Sequence, residues 1–239
     1  MTKQPSLAIQ YVNYKTKHYL KDSLLSLVVD AEKSGINYHV YILDNASGDD
    51  LSDLQQDKVT IMTSEVNIGF GAGHNLLSEQ HASDYMLLLN PDTLLVEENT
   101  VERMIRSLEQ SVDAVALGPC LIGADKKPQA WDHGELDFKS GLYSPKSYWK
   151  KRTKKSEVAW VSGAASLIKT DAFKNVGGFD KDFFLYKEEE DLLLRLRQSG
   201  LKTFYDPSIK VLHIGSVVAN KDLPYFEESI AIYDRKHLS

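Results

Sequence analysis

The sequence predicts an α/β fold in which a mostly parallel central sheet is sandwiched between helices. Three observations lead to this prediction. Apolar segments of strand length alternate with helix-patterned segments along the first half of the chain. Several of these strands are followed at once by polar residues, as at the carboxyl edge of parallel sheets. The length of 239 residues is sufficient for one large domain.

Strand-like and helix-like segments alternate regularly in the first half. Strands are expected where apolar and β-branched residues cluster, at 7–14, 38–45, 58–64, 84–89 and 113–119. Helices are expected where apolar residues recur every three or four positions, at 17–35, 71–83 and 101–111. The first helix ends at Gly35, which suits a C-cap.

The second half is patterned less regularly. Residues 132–157 are basic, aromatic and without periodicity, which predicts a long loop. A strand pair, or a strand and a turn, is expected over 158–170, and a later turn leads into a strong helix. Two short strands at 202–206 and 210–216 precede a C-terminal segment in which Pro224 is placed to open a helix.

Composition and charge narrow the class of protein. Hydrophobic residues make up 42% and charged residues 26%, as in soluble globular proteins, and the net charge of −6 argues against nucleic acid as a partner. The only cysteine, Cys120, rules out an internal disulfide, and its apolar context suggests a small buried hydrophobe. No signal peptide or membrane-spanning run is visible, so we expect a cytoplasmic protein.

One local basic run departs from the acidic average. Lys146–Lys155 holds six basic residues among ten. It is interpreted either as a solvated loop or as a patch that meets anionic lipid headgroups or a phosphorylated acceptor. In the second case Tyr148 and Trp149 would act as interfacial anchors, and the protein would lie peripherally at the inner face of the plasma membrane.

Polar residues at three strand ends form the first candidate site. They are Asn13-Tyr14, Asp44 to Ser47, and Asn90 to Asp92. Asn, Asp and Ser also favour turns and helix caps, but their shared position at one sheet edge favours ligand binding. Pro91 cannot continue a strand ladder, so it should end the strand and direct Asp92 out of the edge. A carboxylate there suits Mg²⁺ or Mn²⁺; the alternative is that Asp92 caps a helix beginning near Glu97.

Three further segments carry candidate groups. The glycine-rich segment 67–75 resembles part of a dinucleotide fingerprint, but it has His74 at the third glycine position and follows the third strand. Four acids at 188–191 either complement a helix dipole or repel one another enough to create a general base. His213 ends an apolar strand and is either structural or a ligand of metal or phosphate.

In this order, these motifs resemble an inverting glycosyltransferase of family 2 with the GT-A fold, nearest to rhamnosyltransferase-like bacterial members. The resemblance covers most of the chain from Ile9 to Ser216. It rests on seven matching segments, at 12–14, 43–49, 67–75, 90–92, 162–168, 177–195 and 213–216.

The resemblance implies a role for each matched residue. Asn13 and Tyr14 would help to form the nucleotide pocket, and Asp44 would bind the nucleobase. The remaining nucleotide-sugar contacts would come from Asn45, Ser47, Asn67, Gly69, Asn75, Gly163 and Ala164. Asp92 would bind the divalent metal, with His213 completing the contacts to metal or phosphate.

The implied catalytic base is less certain to assign. Glu189 stands where the family carries its base, usually Asp in a Glu-Asp pair. This sequence has Glu188-Glu189 instead, so Glu188, Glu189 and Asp191 all remain candidates.

The resemblance also implies the reaction and its partners. The donor would be dTDP-rhamnose or a UDP-hexose, the cofactor Mn²⁺ or Mg²⁺, and the acceptor a lipid-linked glycan, a polysaccharide precursor or a glycoprotein. We expect one domain over 1–239, with a nucleotide-binding half (1–118), an acceptor-binding and catalytic half (119–219) and a helical tail (220–239). Oligomer formation stays open.

Two other functions were weighed against this one. A sugar-1-phosphate nucleotidyltransferase should show a glycine-rich basic loop after the first strand, and none is present. A non-catalytic nucleotide-sugar-binding subunit would not need the acids at 188–191.

Overall fold

The computed structural model describes residues 5–136, 149–215 and 225–238. Its strands are β1 Ser6–Asn13, β2 Asn37–Asp44, β3 Val59–Thr63, β4 Tyr85–Leu89, β5 Thr93–Leu95, β6 Ala114–Ile122, β7 His133–Gly134, β8 Ser156–Val158, β9 Trp160–Val161, β10 Ala165–Lys169 and β11 Lys202–His213. Its α-helices are α1 Lys17–Ser34, α2 Phe70–Ser78, α3 Thr100–Glu109, α4 Thr170–Asn175, α5 Glu188–Gln198 and α6 Tyr225–His237, and a 3₁₀ turn spans Ser52–Leu54.

The central sheet has nine strands in the order β3-β2-β1-β4-β10-β6-β11-β5, with β8 also paired to β11. Strands β3, β2, β1 and β4 are parallel, and so are β6 and β11. Strand β10 runs antiparallel between β4 and β6, and β5 and β8 run antiparallel to β11. The predicted α/β class is confirmed, and the first half of the sheet is wholly parallel.

Two predicted features of the second half are wrong. The short strands expected at 202–206 and 210–216 are one strand, β11, whose register shifts between Asp206 and Lys210. Pro207 lies in this shift, where a residue without a backbone N–H is tolerated. The loop expected over 132–157 contains β7 and the start of β8, although its residues 137–148 lie outside the described ranges.

The core lies on both faces of the sheet. On one face α1 and α3 bury Leu20, Leu27 and Leu108, and on the other α4 and α5 bury Phe173 and Leu192. Strand β4 sends Leu87 and Leu89 to the first face and Met86 and Leu88 to the second, so it is buried on both faces, as predicted. Cys120 is buried in β6, also as predicted. Within the described ranges no helix is long and apolar enough to cross a membrane.

The turn after β4 carries the chain from the sheet centre towards β11. The N–H of Asn90 donates to the Ala164 carbonyl at 2.9 Å, and the N–H of Thr93 donates back to the Asn90 carbonyl at 3.2 Å. Strand β5 then pairs with β11, Thr93 opposite His213. Asp92 is therefore not a helix cap, because α3 begins eight residues later and its first amides donate to Asp30.

Replacing Asp30 with alanine should lower the free energy of unfolding by about 1–3 kcal/mol, because two helix-initiating amides lose a buried carboxylate partner. Asp30 is 5% exposed and accepts hydrogen bonds from Thr100 N and Val101 N at 2.9 and 3.0 Å. Guanidinium denaturation measures the change. Asp22→Ala, on the exposed side of α1, is the matched control and should change stability by about 0.5 kcal/mol or less. Equal losses in both variants would contradict this capping role.

Candidate active site

The carboxyl ends of β1 and β2 bring a buried amide against two carboxylates. Asn13 is fully buried, and its Nδ2 lies 3.4 Å from Asp44 Oδ1, 3.2 Å from Ser47 Oγ and 2.9 Å from Asp49 Oδ2. Its Oδ1 accepts a hydrogen bond from the Thr16 hydroxyl at 2.8 Å. The Ser47 hydroxyl also donates to Asp44 Oδ1. Asn13 therefore orients the acids of this edge rather than facing solvent.

A cavity of about 290 Å³ opens beside these acids. Its lining includes Asp44, Asp49, Ser52, Gln55, Ile61 and Thr63. Burial raises the pKa of Asp49, but hydrogen bonds from Asn13 and from the Lys17 backbone outweigh it and hold this pKa below its usual value. Asp49 was missed as a site residue, although it closes the 43–49 motif. Tyr14 is partly exposed, with Lys15 Nζ 5.1 Å from its ring centroid.

The predicted residues Asn45, Asn67 and Gly69 form one network. Asn45 Nδ2 donates to Asn67 Oδ1 at 2.8 Å and to the Gly69 carbonyl at 3.2 Å. Gly69 N also donates to Asn67 Oδ1, at 2.9 Å. Gly69 has φ +87°, and a Cβ there would lie far inside contact distance of the Phe184 carbonyl oxygen, which accepts from Phe70 N at 3.0 Å. This glycine thus lets the segment before α5 approach the start of α2.

The side chain of Asn75 forms hydrogen bonds with the same segment, which precedes α5. Its Nδ2 donates to the Phe179 carbonyl at 2.8 Å, and its Oδ1 accepts from the Phe179 N–H at 2.9 Å. Both polar groups of the amide are therefore used within the fold. A contact between Asn75 and a nucleotide stays a prediction, and the observed contacts give the residue a positioning role.

Asp191, one of three candidate bases, is held by Arg195 and His237. Its Oδ2 accepts from Arg195 Nε and Nη2 at 2.9 and 2.6 Å, and its Oδ1 lies 2.7 Å from His237 Nε2. Arg195 also donates to the carbonyls of Val176 and Gly178 at 2.8 Å. The Asp191 carboxylate, 1% exposed, thus ties α5 to α6 and to the preceding turn.

Glu188 and Glu189 differ from Asp191, since an Oε2 atom of each is buried without a hydrogen-bond partner among the described residues. Burial, followed by the charge of Glu190, raises the pKa of Glu189 to about 7, although the Gly163 backbone N–H lowers it. Burial and the charge of Glu189 also raise the pKa of Glu188. Glu190 instead lies 2.8 Å from Lys187 Nζ.

The backbone enters α5 in an uncommon conformation. Tyr186 and Lys187 both have positive φ, +73° and +68°. Such residues cost roughly 1–3 kcal/mol each and persist only where surrounding contacts hold them, which is common at functional sites.

Gly163 and Ala164 connect the acids of α5 to the turn after β4. Gly163 N–H interacts with the Glu189 carboxylate, and the Ala164 carbonyl accepts from Asn90 N. The two residues thus lie between Glu189 and the segment that holds Asp92.

Asp92 and His213 meet because β5 pairs with β11. His213 Nε2 lies 3.5 Å from Asp92 Oδ1, and Gly215 N donates to Asp92 Oδ2 at 3.0 Å. Burial raises the pKa of Asp92, but His213 and the Gly215 N–H outweigh it and hold this pKa below its usual value. Among the described residues, no cluster of three or more His, Cys, Asp or Glu side chains forms a metal site.

Gln129, which the sequence did not single out, fixes the His213 ring. Gln129 Nε2 donates to the His213 carbonyl at 2.8 Å, so its Oε1 faces His213 Nδ1, also at 2.8 Å. Because an amide oxygen only accepts, Nδ1 carries a proton, and Nε2 is the ring nitrogen that faces Asp92. Metal-binding histidines commonly have their second nitrogen held in this way.

The basic run is only partly within the described ranges, because 146–148, including Tyr148, lie outside them. Trp149 turns inward, and its Nε1 donates to Asp132 Oδ1 at 2.8 Å. Lys155 Nζ donates to the Ser107 carbonyl and lies 5.0 Å from the Phe204 ring centroid. Trp149 and Lys155 are thus engaged with the fold, and membrane contact through this run stays a prediction.

Comparison with known protein families and sequences gives consistent results. A family model described as "Glycosyl transferase family 2" matches residues 6–177. The N-acetylglucosaminyl-diphospho-decaprenol L-rhamnosyltransferase of Mycobacterium tuberculosis is 26% identical over 235 residues, covering 87% of this chain and 75% of that protein. Rhamnosyltransferase WbbL of Escherichia coli is 24% identical over 220 residues, covering 84% and 81%.

Solved structures share the fold at low identity. GalNAc-T7 with UDP, GalNAc and Mn²⁺ has a TM-score of 0.75 and 13% identity, covering 98% of this chain and 48% of that chain. The mannosyltransferase PcManGT from Pyrobaculum calidifontis, in complex with GDP-Man and Mn²⁺, has a TM-score of 0.67 and 14% identity, covering 99% and 63%. The chain therefore spans about half the length of the first structure and under two thirds of the second.

Replacing Gly69 with alanine should lower the free energy of unfolding by about 3 kcal/mol or more, because the new Cβ meets backbone that cannot rotate away. Gly48→Ala is the control, since Gly48 also has positive φ (+79°) but open space around it. It should cost about 1–2 kcal/mol. Chemical denaturation of both variants makes the comparison, and equal losses would show that the Phe184 approach does not constrain position 69.

Proposed function

Because the chain belongs to glycosyl transferase family 2, we propose that it moves a sugar, with inversion, from a nucleotide-diphosphate donor to a hydroxyl of a glycan acceptor. One observation carries the proposal. Two carboxylates at one sheet edge have opposite pKa shifts: Asp92 is kept ionised, and Glu189 is raised to about 7. The ionised carboxylate of Asp92 suits the binding of a cation, and the carboxylate of Glu189 suits proton transfer.

The donor nucleotide is proposed to occupy the edge of β1, β2 and β3. The cavity beside Asp44 provides carboxylate acceptors for the N–H groups of a base, and Ile61 provides an apolar wall. Asn13, Ser47 and the Asn45 network hold these acceptors in place. Rhamnose, carried by dTDP, is the favoured donor sugar because relatives from two bacteria are named rhamnosyltransferases. A UDP-hexose is the alternative.

A divalent cation fits the chemistry of Asp92 and His213. Asp92 Oδ1 and His213 Nε2 face each other, and the Gln129 contact leaves Nε2 available as a ligand. Mn²⁺ or Mg²⁺ held there would take its other ligands from the donor diphosphate and water, as these ions commonly do. When bound, such an ion neutralises the negative charge of the leaving diphosphate.

Glu189 is proposed as the general base. Its carboxylate accepts the proton of the acceptor hydroxyl, whose oxygen forms a bond to the anomeric carbon while the bond to the diphosphate oxygen breaks. The nucleoside diphosphate leaves on the opposite face, so the configuration inverts. Asp191 is less suited, because Arg195 and His237 occupy its oxygens. A pKa near the operating pH is the favourable value for a base.

The acceptor is proposed to be a lipid-linked glycan. The M. tuberculosis relative bears in its name a sugar attached through a diphosphate to a prenol. A polysaccharide precursor or a glycoprotein acceptor would need the same base and the same donor site, so loss of the base or of the donor site does not distinguish these acceptor classes.

Titration calorimetry of UDP and dTDP, each with and without Mn²⁺, tests the donor site. Wild type should bind at least one nucleotide only with metal, and Asp92→Ala should weaken that binding by about tenfold or more, because a metal ligand is lost. Asp113→Ala, an exposed carboxylate control, should bind like wild type. If neither nucleotide binds to the folded protein, the donor site proposed here is wrong.

The pH dependence of kcat tests the base. Glu189 must be ionised to accept a proton, so kcat of the wild type should fall as the pH drops through about 7. Glu189→Gln should lower kcat by about 10²–10⁴-fold and abolish this dependence.

Two variants at neighbouring acids complete this test. Asp191→Asn should be less stable than wild type, because it weakens the Arg195 and His237 contacts. Its kcat should still fall as the pH drops through about 7, because the base is not removed; this fall is called the acid limb. Glu188→Gln should keep the limb as well. Persistence of the limb in Glu189→Gln, with its loss in Glu188→Gln or Asp191→Asn, would assign the base to the other acid.

A further inference from the structure

A second cavity, of about 260 Å³, lies on the acceptor half of the molecule. It opens between the carboxyl-terminal part of β6, the middle of β11 and the segment before β8. Four cations line it, Lys126, Lys151, Arg152 and Lys210, together with the aromatic side chains of Trp149 and Tyr205. Among the residues that the structure describes, none of those lining the cavity is acidic. In a chain of net charge −6 this is a local concentration of positive charge.

The charges of the cavity are only partly neutralised. Arg152 Nη2 lies 2.7 Å from Glu135 Oε2, and Lys210 Nζ lies 3.9 Å from Glu97 Oε1. Lys126 and Lys151 form no ion pair with other described residues. The Arg152 Nε atom is buried and has no hydrogen-bond partner among them either. A buried cationic donor without an acceptor is costly, and an anionic ligand would satisfy it.

The aromatic wall is held by a buried carboxylate. Asp132, 1% exposed, accepts from Trp149 Nε1 and Tyr205 OH at 2.8 Å each, and His133 Nδ1 lies 2.7 Å from its Oδ1. His133 Nε2 faces the Lys150 carbonyl at 3.1 Å. Both ring nitrogens thus face oxygen atoms of neighbouring groups, which fixes the orientation of the His133 ring. The cavity is a built site whose walls are fixed by buried polar contacts.

Two short connections join this cavity to the proposed transfer centre. The Asp132 carbonyl accepts from Ser162 N at 3.0 Å, and Ser162 precedes Gly163, which interacts with Glu189. On the other side, Pro128 lines the cavity and precedes Gln129, which holds His213. The cavity walls are thus connected through short segments to Gly163, which contacts Glu189, and to Gln129, which contacts His213.

We propose that this cavity is an anion subsite that binds the diphosphate of a lipid-linked sugar acceptor while the sugar reaches towards Glu189. Lysine and arginine side chains suit phosphoryl oxygens, and guanidinium N–H groups bind them in a directed way. The proposal deepens the function proposed above and rests on it, because it takes Glu189 as the base that acts on the acceptor sugar.

Direct binding of inorganic pyrophosphate tests the subsite without turnover. Calorimetry is done in EDTA, so that binding through a metal at Asp92 does not contribute. Lys151→Gln/Lys210→Gln should weaken pyrophosphate binding by about tenfold or more relative to wild type. The matched control, Lys127→Gln/Lys154→Gln, removes the same charge beside the cavity but not in it, and should stay within about twofold of wild type. Asp92→Ala should bind pyrophosphate like wild type.

Kinetics with two matched acceptors test the assignment to the acceptor diphosphate. With a sugar-diphospho-alkyl acceptor, the Lys151→Gln/Lys210→Gln double variant (the cavity variant) should have an acceptor KM about tenfold higher than wild type and an unchanged kcat and donor KM. With the phosphate-free alkyl glycoside of the same sugar, the cavity variant and wild type should have equal KM values.

The contrary results separate a failure of the subsite from a failure of the proposed function. Equal pyrophosphate binding by wild type and the cavity variant would exclude it, and so would equal losses in the control. If the cavity variant lost binding to phosphatidylglycerol vesicles but bound pyrophosphate like wild type, the cations would form a membrane-facing patch instead. If wild type binds pyrophosphate in the cavity but transfers sugar to neither acceptor, the proposed function fails and the anion site remains.

Discussion

The geometry of the acidic segment 188–191 depends on the contacts that the buried Asp191 carboxylate makes with Arg195 and His237. It pairs with Arg195 in its own helix and with His237 in α6, and Arg195 extends the contact to the carbonyls of Val176 and Gly178. Lys236 of α6 adds contacts to Asp180 and Asp182 at 2.5 and 2.7 Å. A buried ion pair adds little net stability, but removing one partner is costly, roughly 3–5 kcal/mol. The value of the pairing is therefore positional: it holds the strained entry to α5, and with it Glu189, in one arrangement.

The pKa shifts of Asp92 and Glu189 have opposite signs because their partners differ, although burial is the largest cause of the rise at Glu189. Burial raises the pKa of both groups. At Asp92 this effect is outweighed by His213 and the Gly215 N–H, whereas at Glu189 the nearby charge of Glu190 adds to it. Asp92 is thus suited to binding a cation, and Glu189 is suited to accepting a proton near neutral pH.

Sequence reasoning succeeded where local rules decide the outcome. Gly35 has φ +63° and caps α1, and Pro91 ends β4 at the expected place. It failed where the deciding partner is distant in the chain. Asp191 was a candidate base because it stands among four neighbouring acids, and its partner His237, 46 residues away, appears only in the fold. Gln129 stood in an unremarkable context, and only the fold brings it to His213 across 84 residues. Asp49 belonged to the 43–49 motif, but its contact with Asn13 is visible only in the fold. A raised pKa in this acidic segment was expected from mutual repulsion, whereas burial is the larger cause of the raised pKa values of Glu188 and Glu189.

The antiparallel strand in the middle of the sheet explains how the two halves of the site meet. In a wholly parallel sheet, every strand ends at the carboxyl edge and its preceding loop lies at the far edge. Strand β10 runs the other way between β4 and β6, so that Ala165, its first residue, pairs with Leu89, the last residue of β4. The loop before β10 therefore lies at the carboxyl edge, where Ala164 accepts from Asn90 and Gly163 reaches Glu189. Reversing one strand thus places the Gly163 N–H and the Ala164 carbonyl beside the turn that carries Asp92, whereas a parallel strand at this position would hold them at the opposite edge.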